Sequence, residues 1–365
     1  MKVILFSDLH LDTSFSWLKT RAARRRRQAL RDTMGKIIDL AAREQADALL
    51  CGGDLYEQDR FTPDTAEFLR ATFESLHPMP VFLSPGNHDW WGPESLYRRV
   101  SWSPNVHVFT ESRLRPVELA DGVTLWGAAH LAPANTDDFL TGFDVRREGV
   151  NLALFHGSER TWFVEQGEGK QPHAPFDAVE IERSGLHHAF LGHFHKPKNA
   201  ELFTYPGNPD PLSFGEEGRR GALIATVASD GAITRDNRAV ATTTVHEISV
   251  DLTGCASQQD VRDNIAELLR GLSGFVRITL EGELGRDVDL PPGDLDAVAP
   301  QMDGIQVRFG EIAVAYDVEA LSHERTVRGQ FVRDVLESGL PPDQRRRVLV
   351  TGLRAFDQSG DLEVP

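Results

Sequence analysis

Cysteine is scarce in this chain: among 365 residues only Cys51 and Cys255 occur, far apart in sequence. Two isolated thiols exclude a disulfide framework and a cysteine-based zinc cluster, and they fit a reducing compartment. Long apolar runs are missing as well, since no stretch approaches the roughly 18 residues that a membrane span requires. The first residues run straight into the strand-like segment Val3 to Phe6, without the basic, apolar and small-residue succession of a secretory signal. A cytoplasmic protein is the expectation. Positive charge is also short: 39 Lys and Arg face 55 Asp and Glu, a formal net charge of −16. That balance argues against a protein that coats nucleic acid simply by neutralising phosphates. The deficit is uneven, however, because 12 Lys and Arg meet 22 Asp and Glu from residue 241 onward. In the earlier part Arg21, Arg24, Arg25, Arg26, Arg27 and Arg31 form a local basic cluster. Two readings stand side by side for it: a solvated helix face, or, through Arg24, Arg25, Arg26 and Arg27, a contact to a nucleic-acid backbone.

What the sequence does contain is a rhythm of short apolar runs: Val3 to Phe6, Ala48 to Cys51, Val81 to Ser84, Val123 to Gly127, Leu152 to Phe155 and His188 to Leu191. Between the first of these lie helical stretches, with Leu30, Met34, Ile37, Ile38 and Ala41 on one face, then Phe68, Leu69, Phe73 and Leu76 on another. The pattern predicts a layered α/β fold. No internal repeat or low-complexity tract is present, but composition shifts near residues 236 to 246. We therefore expect one domain over 1–240, a small α+β domain over 241–322 and a helical tail over 323–365. In that tail Val327, Phe331 and Val335 recur every four residues, a stripe that suits either an internal packing face or a docked partner helix.

Five polar motifs directly follow the apolar runs: Asp8-Leu9-His10, Gly53-Asp54, Gly86-Asn87-His88-Asp89, His156-Gly157 and Gly192-His193-Phe194-His195. Each alone is weak. Together they offer carboxylates, imidazoles and one amide oxygen at strand ends, where open α/β sheets place ligands, and that donor mixture suits manganese, iron or zinc. Two cations about 3.5 to 4 Å apart repel one another and need a shared carboxylate, for which Asp54 is the natural candidate. Alternation in Asp8-Leu9-His10 and His193-Phe194-His195 predicts that the polar pair projects to one side of an extended segment while Leu9 and Phe194 turn to the core. His88, with Asp89 as its orienting carboxylate, is placed to act as general acid.

In this order the motifs resemble the calcineurin-like metallophosphoesterase superfamily. The resemblance implies a four-layer β-sandwich flanked by helices, with a small α+β capping domain behind it. It also implies two divalent cations, manganese foremost and iron, zinc or magnesium as alternatives. One cation would take Asp8, His10 and His195, the other Asn87, His156 and His193, and Asp54 would bridge. The finer motifs Ser7 to Leu11, Gly53 to Tyr56, Pro85 to Asp89, His173 to Phe176, Tyr205 to Pro209 and Leu212 to Glu216 resemble SbcD- and YhaO-like DNA repair exonucleases over roughly residues 1 to 225. That branch implies DNA as substrate, an SMC-like ATPase of the SbcC type as partner, a homodimer as an available assembly, and no membrane. Two departures stand out: Asn208 replaces the usual Ser of that branch, and Gln58 replaces the Arg that Ser/Thr phosphatases carry four residues after the bridging Asp. The second argues against protein phosphatase activity. His130, His173, His187 and His188 are read as structural because the ligand set is already full. Trp90 and Trp91 suit either rim packing or stacking on bases. A small-molecule or cyclic-nucleotide phosphodiesterase and a non-catalytic, partner-recruiting subunit are the rival readings.

Overall fold

The computed structural model describes residues 1–164, 172–285 and 298–357. In chain order its elements begin with β1 (Lys2–Phe6), α1 (Thr20–Arg43), β2 (Ala48–Cys51), α2 (Pro63–Glu74), β3 (Val81–Leu83), α3 (Leu96–Arg99), β4 (Val106–Val108), β5 (Arg115–Ala120) and β6 (Val123–Gly127). There follow β7 (Val150–His156), α4 (Arg160–Val164), α5 (Ala178–Arg183), β8 (His188–Gly192), β9 (Lys198–Asn199), β10 (Phe203–Tyr205), β11 (Gly221–Val227) and β12 (Ile233–Ala239). The last are β13 (Val245–Asp251), α6 (Gln258–Leu268), β14 (Gly274–Gly285), β15 (Met302–Ala315), α7 (Val318–Ser322), α8 (Val327–Leu336) and α9 (Pro342–Phe356). They divide between two compact units, Met1–Val245 and His246–Pro365.

The first unit is built on two six-stranded sheets, ordered β12-β11-β1-β2-β3-β4 and β5-β6-β7-β8-β10-β9. Strands β1, β2 and β3 run parallel, as do β6, β7 and β8. Each central strand is apolar on both faces because each face has its own cover. Val3, Leu5, Ala48, Leu50, Leu152, Leu154 and Phe190 share the core between the sheets. The alternate residues Ile4, Phe6, Leu49 and Cys51 pack instead with Leu30, Met34 and Ile37 of α1 and Leu69 and Phe73 of α2. On the far side Ala153, Phe155, Ala189 and Leu191 meet Trp162 of α4 and Ile181 of α5. The result is helix, sheet, sheet, helix: the four-layer α/β architecture that the apolar rhythm and the resemblance implied.

The basic cluster after the first motif lies on α1, and the helix divides it. Buried positions run Ala23, Arg26, Leu30, Thr33, Met34, Ile37, Leu40 and Ala41, the three- and four-residue steps of one face. Arg26 is only 1% exposed. Its guanidinium donates to Asp210 Oδ1 at 2.8 Å, to the Pro211 carbonyl and to the Thr243 hydroxyl. Asp210 Oδ2 accepts from the Thr33 hydroxyl at 2.7 Å and from the Thr242 backbone at 2.6 Å, so one buried ion pair ties α1 to two distant segments. This corrects the nucleic-acid expectation for Arg26: a side chain sealed by its carboxylate cannot reach a phosphate. Arg24 and Arg25 are exposed, and Arg27 is half-buried with its guanidinium on the Ser14 carbonyl at 3.3 Å. Removing one partner of a buried pair leaves the other charge uncompensated, so Arg26→Ala should lower the unfolding free energy by about 3–5 kcal/mol in a chemical melt. A loss under about 1 kcal/mol, typical of a surface pair, would contradict this role.

The second unit carries a three-stranded sheet, β13-β14-β15, whose Val250, Val276, Ile278 and Leu280 pack with Val261, Ile265 and Leu269 around α6. Helices α7, α8 and α9 form their own cluster from Leu321, Val332, Val335, Leu349 and Leu353. The stripe Val327, Phe331, Val335 therefore does not make one open surface. Val335 is buried, Phe331 packs on this cluster with its ring 5.7 Å from that of Phe356, and Val327 alone stands 78% exposed. Its period served the hairpin's own packing. Residues 358–365 of the expected tail lie outside the described residues.

Candidate active site at the ends of two sheets

The motif residues come together at the C-terminal ends of parallel strands from both sheets. Asp8 and His10 follow β1, Asp54 follows β2, and Asn87 and His88 follow β3; His156 ends β7, and His193 and His195 follow β8. Close backbone approach makes this possible, and small residues permit it. A methyl group on Gly192 would fall 2.2 Å from the Gly52 carbonyl oxygen, and one on Gly86 would fall 2.3 Å from Asp54 Oδ1. The chain leaves the strands in strained turns: φ is +56° at Asp8, +49° at His10, +51° at Asp54 and +110° at His193. Non-glycine residues occupy that region rarely and at a cost of order 1–3 kcal/mol, which the surrounding hydrogen bonds must hold in place. The Asp8 amide donates to the Gly53 carbonyl and the His10 amide to the Asp54 carbonyl, both at 2.9 Å. Left-handed turns, and not the strand alternation expected from the sequence, thus bring Asp8 and His10 together. Leu9 and Phe194 are buried in the cores on either side, as anticipated.

The carboxylates and imidazoles interlock. Asp8 Oδ1 accepts the His193 amide at 3.0 Å, tying the first sheet's loop to the second's. Asp54 Oδ1 accepts the His88 amide at 2.8 Å, while its Oδ2 lies 3.2 Å from His156 Nε2 and 3.6 Å from His10 Nε2. His156 donates from Nδ1 to the Gly52 carbonyl at 2.9 Å, which turns Nε2 toward Asn87 Oδ1 at 3.0 Å and toward His193 Nδ1 at 3.3 Å. Burial opposes the charge on Asp54, yet His156, helped by His88 and His10, holds its carboxyl well below the usual range. Burial pushes His193 down, and neighbouring His156 adds to that, which favours the neutral imidazole with one nitrogen lone pair to offer.

Two carboxylates that composition had not singled out set the histidine orientations. Glu57 takes the Nδ1 proton of His10 on Oε1 at 2.8 Å and that of His88 on Oε2 at 3.0 Å, while burial opposes its charge and the two histidines bring it down to about 2. Glu216 accepts from His195 Nδ1 at 2.7 Å and is held in turn by Asn208 at 2.6 Å and the Leu212 amide at 2.7 Å. Asn208, a departure from the related branch, is therefore fully employed inside the protein. The only sequence hint of Glu57 was an acid three residues after Asp54.

Asp89 needs correction. It does not touch His88 but accepts the backbone amides of Asp54 at 3.1 Å, Leu55 at 2.8 Å and Gly86 at 2.6 Å, and the Tyr97 hydroxyl at 2.5 Å. Burial, with the Asp54 charge behind it, raises its carboxyl to about 6. Asp89 braces the turns that carry Asp54 and Asn87, and the carboxylate orienting His88 is Glu57. Among the other histidines, His130 spends both nitrogens on the His156 carbonyl and the Thr136 hydroxyl, each at 2.7 Å. His188 is held by the Glu201 carbonyl and Thr204, and His187 accepts the Asn151 amide. His173 is half-buried with its ring 5.3 Å from that of His193.

The donors fit a divalent cation. Asp8 with His10 and His195, and Asp8 with Asp54 and His156, each bring ligand atoms within 4.8 Å of one another. His10 Nε2 is buried without a hydrogen-bond partner beside Asp54, a loss of about 1–3 kcal/mol that a bound cation would offset. Hard carboxylate and amide oxygens mixed with imidazoles match manganese, iron, zinc or magnesium more than a soft metal.

Comparison with known proteins agrees with this chemistry. The family model described as calcineurin-like phosphoesterase matches residues 1–197. The uncharacterized metallophosphoesterase YhaO of Bacillus subtilis is 27% identical, over 80% of this chain and 74% of that protein. The DNA double-strand break repair protein Mre11 of Haloferax volcanii is 25% identical over 88% of this chain and 77% of its own length. A component of the SbcCD nuclease of Staphylococcus epidermidis is 22% identical over 48% of this chain and 53% of its own length. Among the described residues, no helix is long and apolar enough to cross a membrane.

Proposed function

The chain belongs to the calcineurin-like phosphoesterase family, and from that premise we propose that it is a two-metal phosphodiesterase that cuts DNA in repair or end processing. The observation that carries the reading is the convergence of Asp8, His10, Asp54, Asn87, His156, His193 and His195 at the ends of two sheets, with the Nδ1 atoms of His10, His156 and His195 already engaged. In this reading Asp8, His10 and His195 would hold one divalent ion, Asn87, His156 and His193 the other, and Asp54 both. When bound, the ions supply Lewis acidity that neutralises phosphate charge and lowers the pKa of water. His88 is 47% exposed, so its ring reaches the opening of the site. Glu57 holds the His88 Nδ1 proton, and burial is outweighed by Glu57 and Asp54 so that His88 stays protonated up to about 9. It is thereby poised to give the Nε2 proton to the leaving oxygen.

DNA as substrate is supported by the relatives named for break repair and nuclease activity. An SbcC-type ATPase partner, assembly as a homodimer and a cytoplasmic setting belong to the same proposal. So does a division of labour in which residues 1–240 catalyse, the small α+β part caps, and the helical tail docks the partner. The exposed Arg24 and Arg25 on α1 belong to the same proposal as phosphate contacts. The test is manganese-dependent cleavage of linear and circular DNA beside bis-p-nitrophenyl phosphate and cyclic nucleotides, with a chelated control. DNA cleavage that needs the metal supports the reading. Activity confined to cyclic nucleotides would support the small-molecule alternative, and absence of all hydrolysis with bound metal would support the recruiting role.

A further inference from the structure

The turn that carries His88 continues into two tryptophans that the fold treats differently. Trp91 packs on the core of α1 and α2, its amide bonds the His130 carbonyl at 2.7 Å, and the Arg98 guanidinium sits 5.6 Å over its ring. Trp90 has none of this. Among the described residues no hydrophobic cluster includes it, no ring or cation contact engages it, and its indole nitrogen has no hydrogen bond. It is nevertheless half-buried. The indole edge lies across the Gly92 backbone, where a methyl group on Gly92 would meet Trp90 Nε1 at 2.9 Å. A large aromatic that no core cluster includes and that stands two residues from exposed His88 is placed to meet a substrate whose phosphate reaches that histidine.

We infer that Trp90 is a substrate-binding residue that stacks on the nucleobase beside the scissile phosphate, and so favours nucleic acid over phosphodiesters without bases. The inference rests on the DNA-cutting reading above. Every base offers a π-face, so such a platform tolerates all sequences while demanding that a base be present. Stacking also needs no positive charge, which suits an acidic protein.

The experiment measures both the Kd of a labelled single-stranded oligonucleotide by anisotropy in chelator and the KM of the manganese-loaded full chain. It compares the parent, Trp90→Ala and Trp90→Phe on ordinary DNA and on the same strand with abasic sites flanking the cleaved bond. From the usual worth of a stacked base, Trp90→Ala should weaken Kd and raise KM roughly 5- to 100-fold on ordinary DNA. Trp90→Phe should recover most of that. On abasic DNA the parent should lose a similar factor and Trp90→Ala should lose little more, the non-additivity expected of groups in contact. Equal losses for Trp90→Ala on both strands, or no loss on ordinary DNA, would overturn the inference. A parent that cleaves bis-p-nitrophenyl phosphate but neither strand would instead overturn the DNA-cutting reading, and the stacking role with it.

Discussion

Exchanging Asp54 for Asn should reduce manganese-dependent hydrolysis by on the order of 10³-fold or more, since the interactions lost amount to several kcal/mol at the transition state. The amide keeps the shape of the carboxylate and an oxygen for the His88 amide, which Asp54 Oδ1 now accepts at 2.8 Å. What it lacks is the second anionic oxygen, the one lying within 3.2 Å of His156 Nε2 and 3.6 Å of His10 Nε2. Asp54 is the residue proposed to hold both cations, and a neutral amide would not offset their mutual repulsion. Metal analysis of the purified protein should show less than the parent's content, and a thermal melt should show the fold intact. Full metal with parental turnover would remove Asp54 from the centre of the site.

His88→Ala should act differently, lowering kcat on DNA by about 10²- to 10⁴-fold while the metals stay bound. The side chain is outside the proposed ligand set and its removal opens no core cavity, because it is exposed. The leaving group offers a sharper control. A sugar oxygen leaves as a strongly basic alkoxide unless it is protonated, whereas p-nitrophenolate is a stable anion near neutral pH and needs little help. The loss should therefore be much smaller on bis-p-nitrophenyl phosphate than on DNA. Equal losses on the two substrates, or an inactive variant that has shed its metal, would assign His88 to positioning and deny it the proton.

The sequence by itself carried the layered fold and named donors that the strand ends bring together, because both are written in short-range patterns. Runs such as Val3 to Phe6 and Leu152 to Phe155 are apolar at every position, which only a strand covered on both faces tolerates. Polar donors directly after those runs had to emerge at strand ends. Even the burial of Arg26 had a local trace, since it stands three residues after Ala23 and four before Leu30 on the buried face of α1. Its partner had none. Asp210 lies 184 residues away, and Glu216 meets His195 across a turn whose shape the residue letters do not specify.

Only the tertiary structure decided which carboxylate serves which histidine. Asp89 adjoins His88 in sequence yet points into the backbone of the Asp54 turn, while Glu57, 31 residues from His88, reaches both His88 and His10. The physical reason is the strain in the turns: with φ positive at Asp8, His10 and Asp54, the backbone there is not a strand and the strand's register does not dictate side-chain directions. Where each one points is then set by the long-range hydrogen bonds that hold the strain, and those exist only once the two sheets have met.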